Sequence, residues 1–265
     1  MGSPKQLARS ILAAAVTATA SAALGAPPAP AVIAAIDLAG PFTTHSAWRF
    51  TASQGPPIND PIMEDGGKAP GALQLCLRKG ASGPCDPQLL VSLEPNVKDD
   101  LFSQPRYLNK AQVVQVRPGR PLLWVQIASL HSTDGNQAVL TQALAYRSDT
   151  DQFVRVYDQV TGRNGNEEVR YISAGPLTGD IISVEPTADA PFGFWVSVNT
   201  LPSGYAYKQV LRYRSATHYG DGNPLAVIDS EMPNIEQRLG VWRSGSPLPL
   251  PTAPCPKPHL IKTEL

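Results

Sequence analysis

An excess of charge of either sign is what this chain most plainly lacks. Its 22 basic residues are matched by 22 acidic ones, and only 17% of its residues are charged. A balanced surface offers no electrostatic footprint for DNA, RNA or an anionic membrane, so nucleic acid is not an expected partner. Histidine is scarce as well. His45, His131, His218 and His259 never fall at metal-binding spacing, and no His-Glu-x-x-His occurs. Three cysteines without paired spacing leave no zinc motif and no Cys-x-x-Cys redox pair, so no metal or cofactor is expected. The nucleophile elbow Gly-x-Ser-x-Gly is missing, since Ser173 has Gly175 after it but Tyr171 before it. A phosphate-cradling loop is missing too, because Gly66-Gly67-Lys68 is followed by Ala69 rather than by a hydroxyl residue. No segment keeps a helical period for long, whereas proline reaches 27 and glycine 21. Proline removes a backbone donor and is kept out of helix interiors and central strands. Short strands joined by many turns are therefore expected.

At the N-terminus, Lys5 and Arg9 precede an uncharged, alanine-rich stretch from Ile11 to Leu24, and small residues allow cleavage after Gly25 or after Ala31, of which Ala31 is preferred because Val32 is an ordinary first residue. Residues 1–31 read as a signal peptide. The apolar run is short of the roughly 20 residues a membrane span needs, so no span is expected in the mature chain. No cysteine lies near the cleavage point and no twin-arginine pair precedes it. That points to the general secretion route without a lipid anchor, and so to a periplasmic or secreted protein. Cys76 and Cys85 bracket a segment containing Gly80, Gly83 and Pro84, which turn the chain sharply. A disulfide across the base of this hairpin suits an oxidising compartment and contributes about 2.7 kcal/mol through loop entropy. Cys255 has no evident partner in the sequence and sits in a proline-rich tail.

The strongest positive signal is a partial repeat. Trp124-Val125-Gln126-Ile127 matches Trp195-Val196-Ser197-Val198 at an offset of 71. Gln142 to Ser148, ending in Tyr146-Arg147-Ser148, matches Gln209 to Ser215, ending in Tyr213-Arg214-Ser215, at an offset of 67. Val156-Tyr157-Asp158 then aligns with Val227-Ile228-Asp229 at 71 again. Apolar-polar alternation within the matches, with length changes only between them, suggests an all-β antiparallel meander with an internal duplication, built as a sandwich, a barrel or a propeller-like array. Strands are expected at 122–129, 138–147, 153–158, 168–172, 180–185, 194–199, 207–213 and 225–229, with Trp124 and Trp195 as equivalent sheet-packing residues. A short helix is expected at 232–239. The organisation that follows is a β-rich segment at 32–120 carrying the Cys76–Cys85 hairpin, a duplicated meander at 121–246 and a proline-rich tail at 247–265. Within the first segment, 73–77 and 89–93 read as the arms of that hairpin, and 97–111 as helical but interrupted by Pro105.

Two sets of residues are candidates for function. Each copy of the repeat has one longer loop spelling His-x-x-Asp-Gly-Asn: His131, Asp134 and Asn136 in the first, His218, Asp221 and Asn223 in the second. They are candidate binding loops, although Asp-Gly-Asn is also ordinary turn chemistry. The second set is an acidic cluster, Glu167, Glu168, Asp180 and Glu185, which would serve as acid and base on a glycosidic bond if two members stood about 5–10 Å apart. The expected function is a non-enzymatic binding or interaction module of the cell envelope, engaging a protein or an envelope polymer through loops or an exposed sheet edge. The alternative is a secreted hydrolase acting on a cell-wall or extracellular polymer through the paired carboxylates.

Overall fold

The computed structural model describes residues 29–63, 66–86, 89, 93, 103–133, 135–162, 167–187, 193–215, 224–241 and 245. The first part of the chain forms β1 (Ala31–Asp37), the short helix α1 (Ala39–Phe42), β2 (Trp48–Gln54), a small ladder of β3 (Ile58–Asn59) with β4 (Lys68–Ala69), and β5 (Leu73–Lys79). The middle forms β6 (Tyr107–Arg117), β7 (Arg120–Ala128), β8 (Ala138–Arg147) and β9 (Gln152–Gly162). The last part forms β10 (Glu168–Tyr171), β11 (Ile181–Pro186), β12 (Phe194–Thr200), β13 (Lys208–Arg214) and the helix α2 (Pro224–Arg238). The fold is all-β and antiparallel, as the proline and glycine content implies. The main sheets run β1-β2-β5, β6-β7-β8-β9 and β10-β11-β12-β13, and each of the last two is a strict meander.

Three apolar clusters stack these sheets. Trp48, Phe50 and Ala52 of β2 and Leu73, Leu75 and Leu77 of β5 occupy alternate positions, which puts them on one face. They pack against Leu123, Val125, Ile127, Leu140, Leu144 and Phe153 of the first meander. The opposite face of that meander, with Val114, Leu122, Trp124, Ala143 and Val156, packs against Val169, Ile181 and Leu201 of the second. The far face of the second meander, with Ile182, Val184, Val196, Val198 and Tyr213, is sealed by Val227, Ile228, Met232 and Ile235 of α2. The order through the molecule is thus outer sheet, first meander, second meander, helix. Sheets buried on both sides lose simple alternation, and β8 shows it: seven of its ten residues are buried.

One carboxylate bolts the outer sheet to the first meander. Asp151, held at a φ of 48° in the turn between β8 and β9, accepts from Ser46 Oγ at 2.5 Å, Trp48 Nε1 at 3.0 Å and Tyr146 Oη at 2.8 Å. Lys79 Nζ lies 2.9 Å away. Cys76 and Cys85 form the expected disulfide, with Cα atoms 5.0 Å apart.

Several expectations need correction. The two copies of the repeat do not occupy equivalent places: β7 is second in its sheet whereas β12 is third, and β8 is third whereas β13 is fourth. The third match breaks altogether, because Val156-Tyr157-Asp158 lies in β9 while Val227-Ile228-Asp229 lies in α2. Three β-branched or acidic letters are too few to outweigh Ile228, Met232 and Ile235, whose helical spacing points them together onto the sheet. The expected 232–239 helix is the end of this longer one. Residues 107–111 are strand rather than helix, because ladder pairing with β7 along Tyr107↔Ala128 to Ala111↔Val125 claims their backbone groups. β5 pairs along its whole length with β2, and after the turn the chain folds back beside it, the Asp86 amide donating to the Leu77 carbonyl at 2.6 Å, so the disulfide ties Cys85 to the middle of β5. Of the return arm expected at 89–93, Leu89 and Leu93 are described and neither is strand. The proline-rich tail beyond 245 lies outside the described residues, as do residues 1–28 of the expected signal peptide.

Candidate functional site

Strand alternation decides which side chains the second meander leaves open. In β12, Phe194, Val196 and Val198 point to α2, which sets Trp195, Ser197 and Asn199 on the face toward the first meander. Ladder pairing brings Glu185 of β11 directly opposite Trp195, and Arg214 of β13 opposite it on the other side. Direct cross-strand partners share a face. Trp195 is 38% exposed, and the guanidinium of Arg212 stacks over its ring at 4.8 Å from the centroid. An indole–guanidinium stack of this kind holds the aromatic plane in a fixed orientation while leaving much of it in water.

The polar surround is fixed from below. Glu185 accepts a hydrogen bond from Gln159 Nε2 at 3.1 Å, and Gln159 Oε1 accepts from Tyr157 Oη at 2.5 Å. Burial, with further contributions from Glu185 and Asp158, drives the Tyr157 hydroxyl well above its ordinary pKa, so it stays a neutral donor. Its ring packs edge-on against Tyr207 at 5.7 Å. The result is a chain, Tyr157 to Gln159 to Glu185, that aims a carboxylate at the rim of an exposed indole. An apolar plane ringed by planar hydrogen-bonding groups can take up a molecule with one apolar face and polar edges.

The residues singled out from sequence are placed as follows. His131, Gly135 and Asn136 belong to the turn between β7 and β8: His131 Nδ1 lies 3.4 Å from the Gly135 carbonyl with its ring edge-on to Tyr107 of β6 at 5.7 Å, and Ser132 Oγ donates to the Asn136 carbonyl at 3.1 Å. Asn136 Oδ1 accepts from the Gln137 amide at 2.9 Å, which is turn chemistry. Asp134, His218, Asp221 and Asn223 lie outside the described residues. Glu167 Oε2 accepts from the Gly162 amide at 2.7 Å. A Cβ on Gly162 would sit 3.5 Å from Asn136 Oδ1 and 3.9 Å from Glu167 Oε2, so these two candidates flank one glycine.

Glu168, Asp180 and Glu185 are dispersed. Glu168 pairs across the ladder with Val184 and so shares the helix-facing side, where Arg170 lies 3.4 Å from it and bridges to Asp229 of α2 at 2.6 Å. Burial outweighs Arg170 there and raises the Glu168 pKa. Glu185 is on the opposite face. Asp180 precedes β11, at the other end of that strand, where burial raises its pKa against a hydrogen bond from Thr200. Glu167, one residue before β10, continues the register toward Glu185, but the Gly162 amide and Gln159 Nε2 engage the two carboxylates separately, and among the described residues no three His, Cys, Asp or Glu side chains cluster as a metal site.

Trp195 does not share the surroundings expected of it as the counterpart of Trp124. The phase of the alternation separates them: Trp195 keeps step with Ser197 and Asn199, and Trp124 with Leu122. Trp124 is 2% exposed and lies 5.7 Å from the Tyr171 ring in the cluster between the meanders. No helix among the described residues is long and apolar enough to cross a membrane. Comparison with protein-family models, with curated proteins and with solved structures finds no match.

Proposed function

We propose that this chain is an exported, non-enzymatic binding module of the cell envelope, and that Trp195 is its contact platform for a glycan chain of an envelope polymer. The observation that carries the reading is the 38% exposed indole of Trp195, stacked by Arg212 and rimmed by Glu185 and Arg214, on a meander whose other face is closed by a helix. A pyranose ring presents apolar C–H faces and hydroxyl edges. The indole removes the C–H face from water at about 25 cal/mol per Å². The carboxylate and guanidinium groups meet the hydroxyls. The N-terminal signal pattern supports export, and so does the Cys76–Cys85 bond, which oxidising compartments preserve. Glu168 and Asp180 stand apart from Glu185, and Glu167 and Glu185 are each engaged by a neighbouring donor, which favours binding over hydrolysis, because glycosidic cleavage needs two available carboxyls about one bond.

Co-sedimentation of the purified exported chain with insoluble envelope glycan tests the proposal. Wild type is expected in the pellet, and Trp195→Ala is expected to stay in the supernatant with at least tenfold weaker binding and an unchanged melting temperature. Equal pelleting of the two proteins would reject Trp195 as the platform. Full-length, uncleaved chain confined to the cytoplasm would reject export.

A further inference from the structure

The hairpin between β6 and β7 is tipped Arg117-Pro118-Gly119-Arg120, with Gly119 at a φ of 75° and Arg117 paired in register with Arg120. Both arginines reach the same backbone oxygen: Arg117 Nη2 donates to the Leu201 carbonyl at 3.2 Å, and Arg120 Nη1 to it at 3.5 Å. Arg120 also donates to the carbonyls of Pro202 and Gly204. All of these acceptors are neutral. Among the described residues neither arginine has a carboxylate partner, whereas the nearby Arg147 and Lys79 are matched by Asp149 and Asp151. Two guanidinium charges therefore converge on one point without compensation. Partial burial and the neighbouring Arg117 both lower the Arg120 pKa, which is the electrostatic cost of that arrangement.

Arg120 lines a cleft of about 330 Å³ that also takes in Thr43, Tyr146, Ser148, Ser203 and Tyr205. The Tyr146 hydroxyl is committed to Asp151 and to the His45 amide. The hydroxyls of Thr43, Ser148 and Ser203 have no protein hydrogen-bond partner among the described residues. A guanidinium has five N–H donors, and the three carbonyls engage three of those on Arg120, which leaves two. The cleft thus combines uncompensated positive charge with unused donors from four separate segments. A tetrahedral oxyanion has enough lone pairs to satisfy all of them, and guanidinium–phosphate hydrogen bonds are among the strong charge-assisted ones.

We propose that this arginine-tipped cleft binds a phosphate group, free or carried as an ester on a small hydroxylated unit. It is independent of the Trp195 surface, because the 201–205 loop and Trp195 lie at opposite ends of β12, about 20 Å apart at about 3.3 Å per residue. Isothermal titration with inorganic phosphate and with glycerol 1-phosphate tests it on the full mature chain, with sodium chloride at matched ionic strength as the control. Saturable binding of phosphate, with a rise in melting temperature that chloride does not give, is expected. Tighter binding of glycerol 1-phosphate would assign the ester, and equal binding the free ion. Arg120→Gln is expected to weaken either ligand at least tenfold. Because Arg120 also holds the 201–204 backbone, the Ser148→Ala/Ser203→Ala double variant is tested beside it. That variant leaves those contacts in place and is expected to lose about tenfold. Trp195→Ala is expected to bind phosphate as wild type does. No saturable binding of either probe, or full binding by the double serine variant, would overturn the proposal.

Discussion

Tyr146 in the first meander and Tyr213 in the second both open a Tyr-Arg-Ser tripeptide, and both donate their hydroxyl to a carboxylate, Asp151 at 2.8 Å and Glu231 at 2.7 Å. The carboxylates come from different directions. Asp151 sits in the next turn and draws in the outer sheet through Ser46 and Trp48. Glu231 belongs to α2 and also accepts from Ser215 Oγ at 2.7 Å. Matched letters thus do a matched local task, fastening a strand to whatever covers it, while the covering layer differs. The same contrast runs through the other matches. Trp124 and Gln142 are buried in a sheet covered on both faces, whereas Trp195 and Gln209 are exposed in a sheet covered fully on only one. A sequence match over a few residues preserves strand phase. Burial is imposed by the neighbours.

Paired substitutions across matched positions would break or sharpen this contrast. The largest effect belongs to the indoles. Trp124→Ala is expected to lower the unfolding free energy by about 3–5 kcal/mol in urea titration. Trp195→Ala should cost less than about 1 kcal/mol, because most such surface changes do little. Equal losses would erase the distinction between the two sheets.

The carboxylates come next. Asp151→Asn and Glu231→Gln are each expected to cost about 2 kcal/mol at pH 7, the scale of hydrogen bonds to a charged group. Asparagine tolerates the left-handed backbone of position 151, so the Asp151 loss reports the charge rather than strain. Hydrogen bonds from Ser46 first, then Lys79, Tyr146 and Trp48, hold the Asp151 carboxyl well below its ordinary value. A depressed folded-state pKa stabilises fully above the unfolded value of about 3.9 and loses that contribution as pH falls toward the folded one. The gap between wild type and Asp151→Asn should therefore hold from pH 7 to about 5 and narrow below about 4. A gap that stays constant down to pH 2.5 in thermal melts would show that geometry alone carries it.

The smallest effect has the opposite sign. Gln142 points between Leu140 and Leu144 on the face toward the outer sheet, and neither its Nε2 nor its Oε1 has a partner there. Gln142→Leu is expected to stabilise by about 1 kcal/mol, since a buried amide without partners is worse than an apolar group of similar size. Gln209→Leu should change nothing measurable. Destabilisation by Gln142→Leu would mean that the amide has a task the contacts do not show.

Much of the fold is legible in the letters. Residues 138–147 read as a strand and are one to the residue, and the Cys76–Cys85 bond follows from turn formers between two cysteines. What fails is the inference from likeness to position. Val227-Ile228-Asp229 resembles strand β9 in composition, yet Pro224 at a helix start and the spacing of Ile228, Met232 and Ile235 carry the stronger signal. The candidate surface was half legible. The phase of Trp195 with Ser197 and Asn199 is in the sequence, but Arg212 and Glu185 join it only through ladder pairing. Arg117 and Arg120 visibly flank a Pro-Gly tip. Their shared target, the Leu201 carbonyl, lies more than 80 residues away, and no local pattern announces it.

The stack of outer sheet, first meander, second meander and helix follows the order in which the chain supplies them. A polypeptide that folds as its amino end is supplied first would deliver each layer just before the one that covers it. The Trp124 side of the middle layer would then wait for little more than the next fifty residues before losing contact with water. Near-neighbour strand pairing of this kind keeps loop-closure costs low and shortens the exposure of sticky surface. A protein arranged in delivery order can bury each layer as soon as its cover has been supplied.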